Sequence, residues 1–225
     1  MNLKALGVSK EFPRKTGTAN CFTALQPLDL TLEPGTLTVL TGRSGSGKST
    51  LLNLLGGLLQ PTAGRVMADD TDLYTLPDRA LSAFRNRHIG IIPQGQTAIY
   101  SLTLLENVLL PLTLCGKPQK EDESRALSLL DELDIAGLAS YMPSELSGGE
   151  LKRMAIARAL VAQPEILLAD EPTADLDEEN TQTVLALLKR TAQQGSAILL
   201  VTHETCVKDY GDCVCSMTKG VLTST

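Results

Sequence analysis

The sequence predicts an α/β fold: a core with a parallel sheet, an antiparallel β subdomain, and an α-helical subdomain inserted between the strands. Three observations predict it. Apolar runs suited to buried strands recur as "TLTVL" (36–40), "EILLAD" (165–170) and "SAILLVTH" (196–203), with helical periodicity between them. That alternation describes a parallel sheet covered on both faces. Ahead of the first run, short strand-like stretches are broken by the polar loop "PRKTGTAN" (13–20) and the turn "EPG" (33–35), which reads as antiparallel ribbons. From Leu104 to Leu160 the pattern is helical, so a helical insert interrupts the core.

The first core strand runs into "LTGRSGSGKSTLL" (40–52), and "STLLNLLGGLL" behind it carries leucines at helical spacing. Gly42, Gly45 and Gly47 let main-chain N–H groups turn inward around an anion. In this strand-loop-helix setting, Gly42, Arg43, Ser44, Gly45, Ser46, Gly47, Lys48, Ser49 and Thr50 form a phosphate-binding P-loop, and the core is that of a P-loop NTPase. Lys48 reaches the terminal phosphates, Ser49 ligates Mg²⁺, and the helix N-terminus adds its partial positive charge. A turn-rich patch follows at 59–73. "PDRALSAFRNRHIGIIPQ" (77–94) reads as a helix feeding a buried strand that ends at Pro93. "EDESRALSLLDELDI" (121–135) is an amphipathic helix, and "EENTQTVLALLKRTAQQ" (178–194) is the helix between the last two runs. The organisation expected is one domain over 1–225, with 1–94 and 161–225 as α/β core plus β subdomain and 95–160 as helical subdomain.

Bulk properties exclude several classes. Lys and Arg number 20 against 26 Asp and Glu, a net charge of −6 that offers no basic footprint, so no nucleic-acid partner is expected. Lysines at 4 and 10 interrupt the N-terminus before any apolar stretch grows, unlike a signal peptide. No run approaches the ~18 apolar residues of a membrane span. The five cysteines read as reduced thiols of a cytoplasmic protein. Cys213 and Cys215 fit strand alternation, and a metal site of Cys206, Cys213, Cys215 and His203 is disfavoured because no C-x-x-C pair exists.

The run "LLADEPTADLD" (167–177) places Asp170 and Glu171 at the carboxyl edge of the sheet, beside the P-loop. As adjacent residues on a strand they point to opposite faces, so Asp170 can hold Mg²⁺ while Glu171 faces and polarises an attacking water. "ELSGGELKRMAIARAL" (145–160) puts Ser147, Gly148 and Gly149 directly before a helix, a second anion-suited turn that has neither a lysine nor a strand before it. His203 ends a buried strand at the same edge as Glu171, which suits a γ-phosphate contact. His88 reads as packing.

The P-loop "GRSGSGKST", the turn "LSGGE", the strand "ILLADEP", then "DLD" and "VTHE", in that order, resemble the nucleotide-binding subunit of an ATP-binding-cassette transporter over essentially the whole chain. The resemblance implies ATP and Mg²⁺ as ligands and ATP hydrolysis coupled to transport. It also implies a head-to-tail dimer of two copies with each ATP between one copy's P-loop and the other's Ser147–Gly149 turn. By the same resemblance Phe12 stacks on adenine, Gln94 senses Mg²⁺ and the membrane partner, Asp177 communicates across the dimer interface, and His203 is the switch histidine. The transmembrane permease would be a separate polypeptide, with this subunit peripheral on the inner face of the membrane. "LTLLENVLLPL" and the "LSGGE" variant resemble the lipoprotein-releasing, macrolide-exporting and peptide-resistance branch; a cell-division ATPase or a soluble non-transport ATPase are the alternatives. Three departures stand out: Glu150 where glutamine is frequent, Ala174 where glycine is frequent, and "GQTAIYSL" after Gln94. None is expected to touch the phosphate chemistry. The last marks the stretch, with Ile99, Tyr100, Leu102, Leu104 and Leu105, expected to dock the membrane partner.

Overall fold

The computed structural model describes residues 1–13, 21–95, 97–116, 118–204 and 206–224. Most of the polar loop expected at 13–20 therefore lies outside the described residues. In chain order the elements are β1 (Leu3–Pro13), β2 (Cys21–Leu32), β3 (Leu37–Thr41), α1 (Lys48–Leu55), β4 (Ala63–Ala68), β5 (Thr71–Asp72), α2 (Asp78–His88), β6 (Ile89–Ile92), α3 (Leu104–Cys115), α4 (Lys120–Glu132), α5 (Gly148–Leu160), β7 (Ile166–Asp170), α6 (Glu178–Gln193), β8 (Ala197–Thr202), β9 (Cys213–Thr218) and β10 (Val221–Ser224).

Two sheets organise them. An antiparallel sheet runs β2-β1-β4-β5, and a six-stranded sheet runs β10-β9-β3-β8-β7-β6, parallel except for the edge strand β10. Period-2 alternation of the central strands makes two cores from one sheet. Leu37 and Val39 of β3, Leu167 and Ala169 of β7, and Ile198 and Leu200 of β8 face the helices α3 to α6. Leu40, Ile166, Leu168, Leu199 and Val201 face α1 and the antiparallel sheet. Every residue of β3, β7 and β8 is buried, as strands covered on both faces require.

The stretch expected to be turn-rich, 59–73, instead contains β4 and β5. The reason lies at Gly64, which has φ 86°; a Cβ there would sit 2.4 Å from the carbonyl oxygen of Gly7 on β1. A glycine that reads as a turn breaker is here the residue that lets β4 approach β1. Between the neighbouring strands β6 and β7 the chain makes its long excursion through α3, α4 and α5. Cys213 is exposed and Cys215 buried along β9, the alternation its spacing suggested.

Candidate active site

The carboxyl ends of β3, β7 and β8 open into a cleft of about 920 Å³. Its floor is the loop from Gly42 to Thr50. Two glycines are required there by contact: a Cβ on Gly42 would lie 2.4 Å from the Met217 carbonyl oxygen, and one on Gly47, at φ 109°, would lie 2.7 Å from that of Ala24. Gly47 also occupies the N-cap of α1, and no side chain caps that helix. Ser147 and Asp177, by contrast, accept from the first turns of α5 and α6. The first N–H groups of α1 are thus left to a ligand, and a helix N-terminus favours an anionic one. Lys48 is buried, and its Nζ donates to the carbonyl oxygens of Gly42 at 2.7 Å and Arg43 at 3.1 Å, curled over the concavity that a phosphate would fill.

Asp170 and Glu171 are both buried at the strand edge. The expectation that they alternate along a strand is corrected: β7 ends at Asp170, and Glu171 takes a left-handed φ of 49°. Its N–H donates to Val201 O at 2.8 Å, extending the pairing with β8 one residue past the strand, while its carbonyl oxygen accepts from the Ala174 N–H at 3.3 Å and so closes the turn beside β8. There Glu171 Oε2 accepts from Thr202 Oγ1 at 2.9 Å, and Oε1 lies 2.8 Å from His203 Nδ1. That hydrogen bond and the carboxylate's charge raise the His203 pKa, favouring an imidazolium at the mouth of the cleft.

Burial raises the Asp170 pKa, opposed first by a hydrogen bond from Ser49 and then by the charge of Lys48. A buried carboxylate beside a hydroxyl and the Gln94 amide is a set of hard oxygen donors suited to Mg²⁺. Among the described residues no three His, Cys, Asp or Glu side chains cluster for a metal, and this set fits an ion that takes its other ligands from phosphate and water. The sign of the linkage is definite: with its folded pKa raised, Asp170 costs stability once pH exceeds the ordinary value of 3.8, and the cost grows until pH passes the raised folded value. Asp170→Asn is therefore expected to melt higher than wild type at pH 7 without nucleotide, with the gap closing toward pH 4. Its ATP hydrolysis should fall by about 10²-fold or more. An equal or lower melting temperature at pH 7 would overturn this account of Asp170.

The cleft also gathers Phe12, Gln94 and His203, as expected. It adds Phe22, which the sequence reading missed: Phe22 pairs with Phe12 across β1 and β2, so both rings stand on one face. The pairing register was the signal, and it is hidden by the 14–20 segment between the strands. Ser147, Gly148, Gly149 and Asp177 do not line this cleft. Glu150, the fifth residue of that turn, caps it: its Oε2 accepts from both the N–H (2.6 Å) and the hydroxyl (2.8 Å) of Ser147 in a capping box. Leu104 is fully buried in the helical-side core and so does not belong to a docking face, while Leu105 is partly buried against that core. His88 packs on Phe84 and pairs with Glu165 at 2.7 Å.

Residues 25–174 match the family model described as ABC transporter. Among curated relatives, the lipoprotein-releasing system ATP-binding protein LolD 1 of Rhodopirellula baltica is 41% identical over 90% of this chain and 87% of its own length. The methionine import ATP-binding protein MetN 2 of Enterococcus faecalis is 43% identical over 88% of this chain, which spans only 56% of that protein. Among solved structures, a dimeric, post-hydrolysis form of the ATP-binding cassette MJ0796 bound to ADP and Pi superposes with a TM-score of 0.90 at 35% identity, covering 99% of this chain and 98% of that one.

Proposed function

The chain belongs to the ABC transporter family, and from that membership we propose that it is the ATP-hydrolysing subunit of a lipoprotein-releasing transporter, acting as a pair of copies beneath a separate transmembrane permease. The observation that carries the paired site is the division of parts within one copy. P-loop, acidic edge and His203 share one cleft, while the Ser147–Gly149 turn lies outside it. A second copy can supply that turn.

In this reading the P-loop amides and Lys48 hold the phosphates of ATP, and Phe12, with Phe22 beside it, receives the adenine. Ser49, Asp170 and Gln94 would hold Mg²⁺, which would supply charge neutralisation at the phosphates. Glu171 takes the proton of the attacking water, and Thr202 and His203 orient its carboxylate. Asp177 and the Ser147–Gly149 turn act across the copy interface. Residues 95–160 move as the helical subdomain. Among the described residues no helix is long and apolar enough to cross a membrane, which fits a subunit held at the inner membrane face by its partner.

The resemblance to a lipoprotein-releasing protein over nearly its full length supports the export assignment. The methionine importers favour a second reading, uptake of a small solute. Reconstitution with the co-purifying permease separates them. Under the export reading, ATP drives release of an acylated protein from vesicles; ATP-driven methionine uptake without such release overturns it.

The permease contact is proposed at Ile99 and Tyr100, whose exposures are 40% and 57%. Their loop is built from beneath: fully buried Asn107 accepts from the Ile99 N–H at 2.8 Å and donates to the carbonyls of Ile99, Leu102 and Thr103. A rigid loop carrying two apolar side chains into solvent is suited to a partner helix. Ile99→Glu with Tyr100→Glu is expected to keep basal ATPase and to shift the melting temperature by no more than about 2 °C, as surface changes do. Permease capture should be lost. Destabilisation with intact capture would assign the pair to packing.

A further inference from the structure

We propose that Lys152 is a positioning residue for ATP hydrolysis, tying the Gln94 loop to the helix that presents the Ser147–Gly149 turn. The inference rests on the reading of the site given above. Lys152 stands in the first turns of α5, and its Nζ donates to Gln94 O at 3.3 Å. The same side chain borders a small cavity with Gln94, Gly148, Ala174 and Asp175, where the ends of three segments meet. These are the loop leaving β6, the N-terminus of α5 and the turn that follows Glu171. Further along α5, Arg158 donates to Thr97 O at 2.8 Å, so cations hang the loop on this helix at two points.

The charge is placed for more than packing. Burial lowers the Lys152 pKa, and the carboxylates of Asp175, Asp170 and Glu171 raise it, so the ammonium lies within the field of the acids that surround the reacting phosphate. Leu151 and Met154 bury α5 in the core, whereas Lys152 is half-exposed. Removing its charge therefore leaves the helix's apolar anchorage intact. It releases the side chain that, among the described residues, joins α5 to Gln94, whose amide would hold Mg²⁺ in the reading above. When α5 moves to meet nucleotide on a second copy, Gln94 moves with it.

Steady-state ATPase of the purified subunit tests this with Lys152→Met, Lys152→Arg and Glu171→Gln in parallel. Lys152→Met is expected to lower kcat about 10-fold while KM for ATP stays within about twofold, because misplacing a catalytic group weakens the transition state more than the ground state. Lys152→Arg, which keeps a cation able to reach a carbonyl, should recover kcat to within about threefold of wild type. A wild-type kcat in Lys152→Met, a loss confined to KM, or an arginine variant as slow as the methionine variant overturns the inference. Should Lys152→Met fold poorly, Lys152→Gln takes its place, and a wild-type kcat there has the same force. The control keeps two failures apart: an active Glu171→Gln would refute the site, whereas an inactive one beside a fully active Lys152→Met refutes only the role of Lys152.

Discussion

Purified Glu171→Gln protein is expected to bind ATP as wild type does and to hydrolyse it about 10²- to 10⁴-fold more slowly, the contribution of positioned general-base assistance. The substitution is nearly isosteric. The glutamine carbonyl can still accept the Thr202 hydroxyl bond that wild-type Oε2 accepts at 2.9 Å. What is lost is the carboxylate that takes the water's proton, together with the negative charge facing His203 at 2.8 Å. Lys48 and the P-loop amides do not touch Glu171, so nucleotide affinity should be preserved. Single-turnover measurement with labelled ATP separates binding from the chemical step. A hydrolysis rate near that of wild type would show that another group activates the water.

Much of this was legible because short-range chemistry specified it. The P-loop can be read from "GRSGSGKST" because phosphate demands amides, a lysine and a hydroxyl at fixed offsets, and the central strands can be read because both faces are buried. What the sequence hid depends on contacts between distant residues. Gly64 reads as a turn until β1 is placed against it, so close that a Cβ would lie 2.4 Å from the Gly7 carbonyl oxygen. Glu171 reads as a strand residue, and its N–H still pairs with Val201 O on β8, but its left-handed φ and the Ala174 N–H on its carbonyl make it a corner. Phe22 has no local signature, since its place in the cleft follows from its register opposite Phe12. Lys152 looks like an ordinary exposed helix cation until the Gln94 carbonyl meets it. The second half of the phosphate site is a different case: the Ser147–Gly149 turn was legible as an anion site, and one copy of the chain offers it only its own Glu150 carboxylate, outside the P-loop cleft.

Glu171→Gln protein is therefore expected to sediment as a monomer without nucleotide and as a dimer with saturating ATP. Each copy carries a net charge of −6, so association without a ligand is opposed by like charge. ATP changes the balance only if it binds the closed pair better than the open copy, and a shift from mostly monomer to mostly dimer requires a differential of about 10⁴-fold. The structure offers a source for that differential in the N-terminus of α5. Within one copy the anion at that N-terminus is the helix's own Glu150, whose carboxylate accepts from the Ser147 N–H at 2.6 Å and from the Ser147 hydroxyl at 2.8 Å. On closure the hydroxyl would exchange this carboxylate for the γ-phosphate of the other copy, while Glu150 keeps the Ser147 N–H and the helix cap. Blocking hydrolysis matters because cleavage removes the group that both copies share. Adding Ser147→Arg to Glu171→Gln should leave ATP binding to the P-loop intact, since Ser147 does not line that cleft, and should abolish the ATP-induced dimer by filling the space the phosphate needs. Sedimentation velocity across a concentration series, with bound nucleotide measured in the same samples, reads both quantities. A monomer under saturating ATP in Glu171→Gln protein, or a dimer undiminished by Ser147→Arg, would overturn the two-copy site.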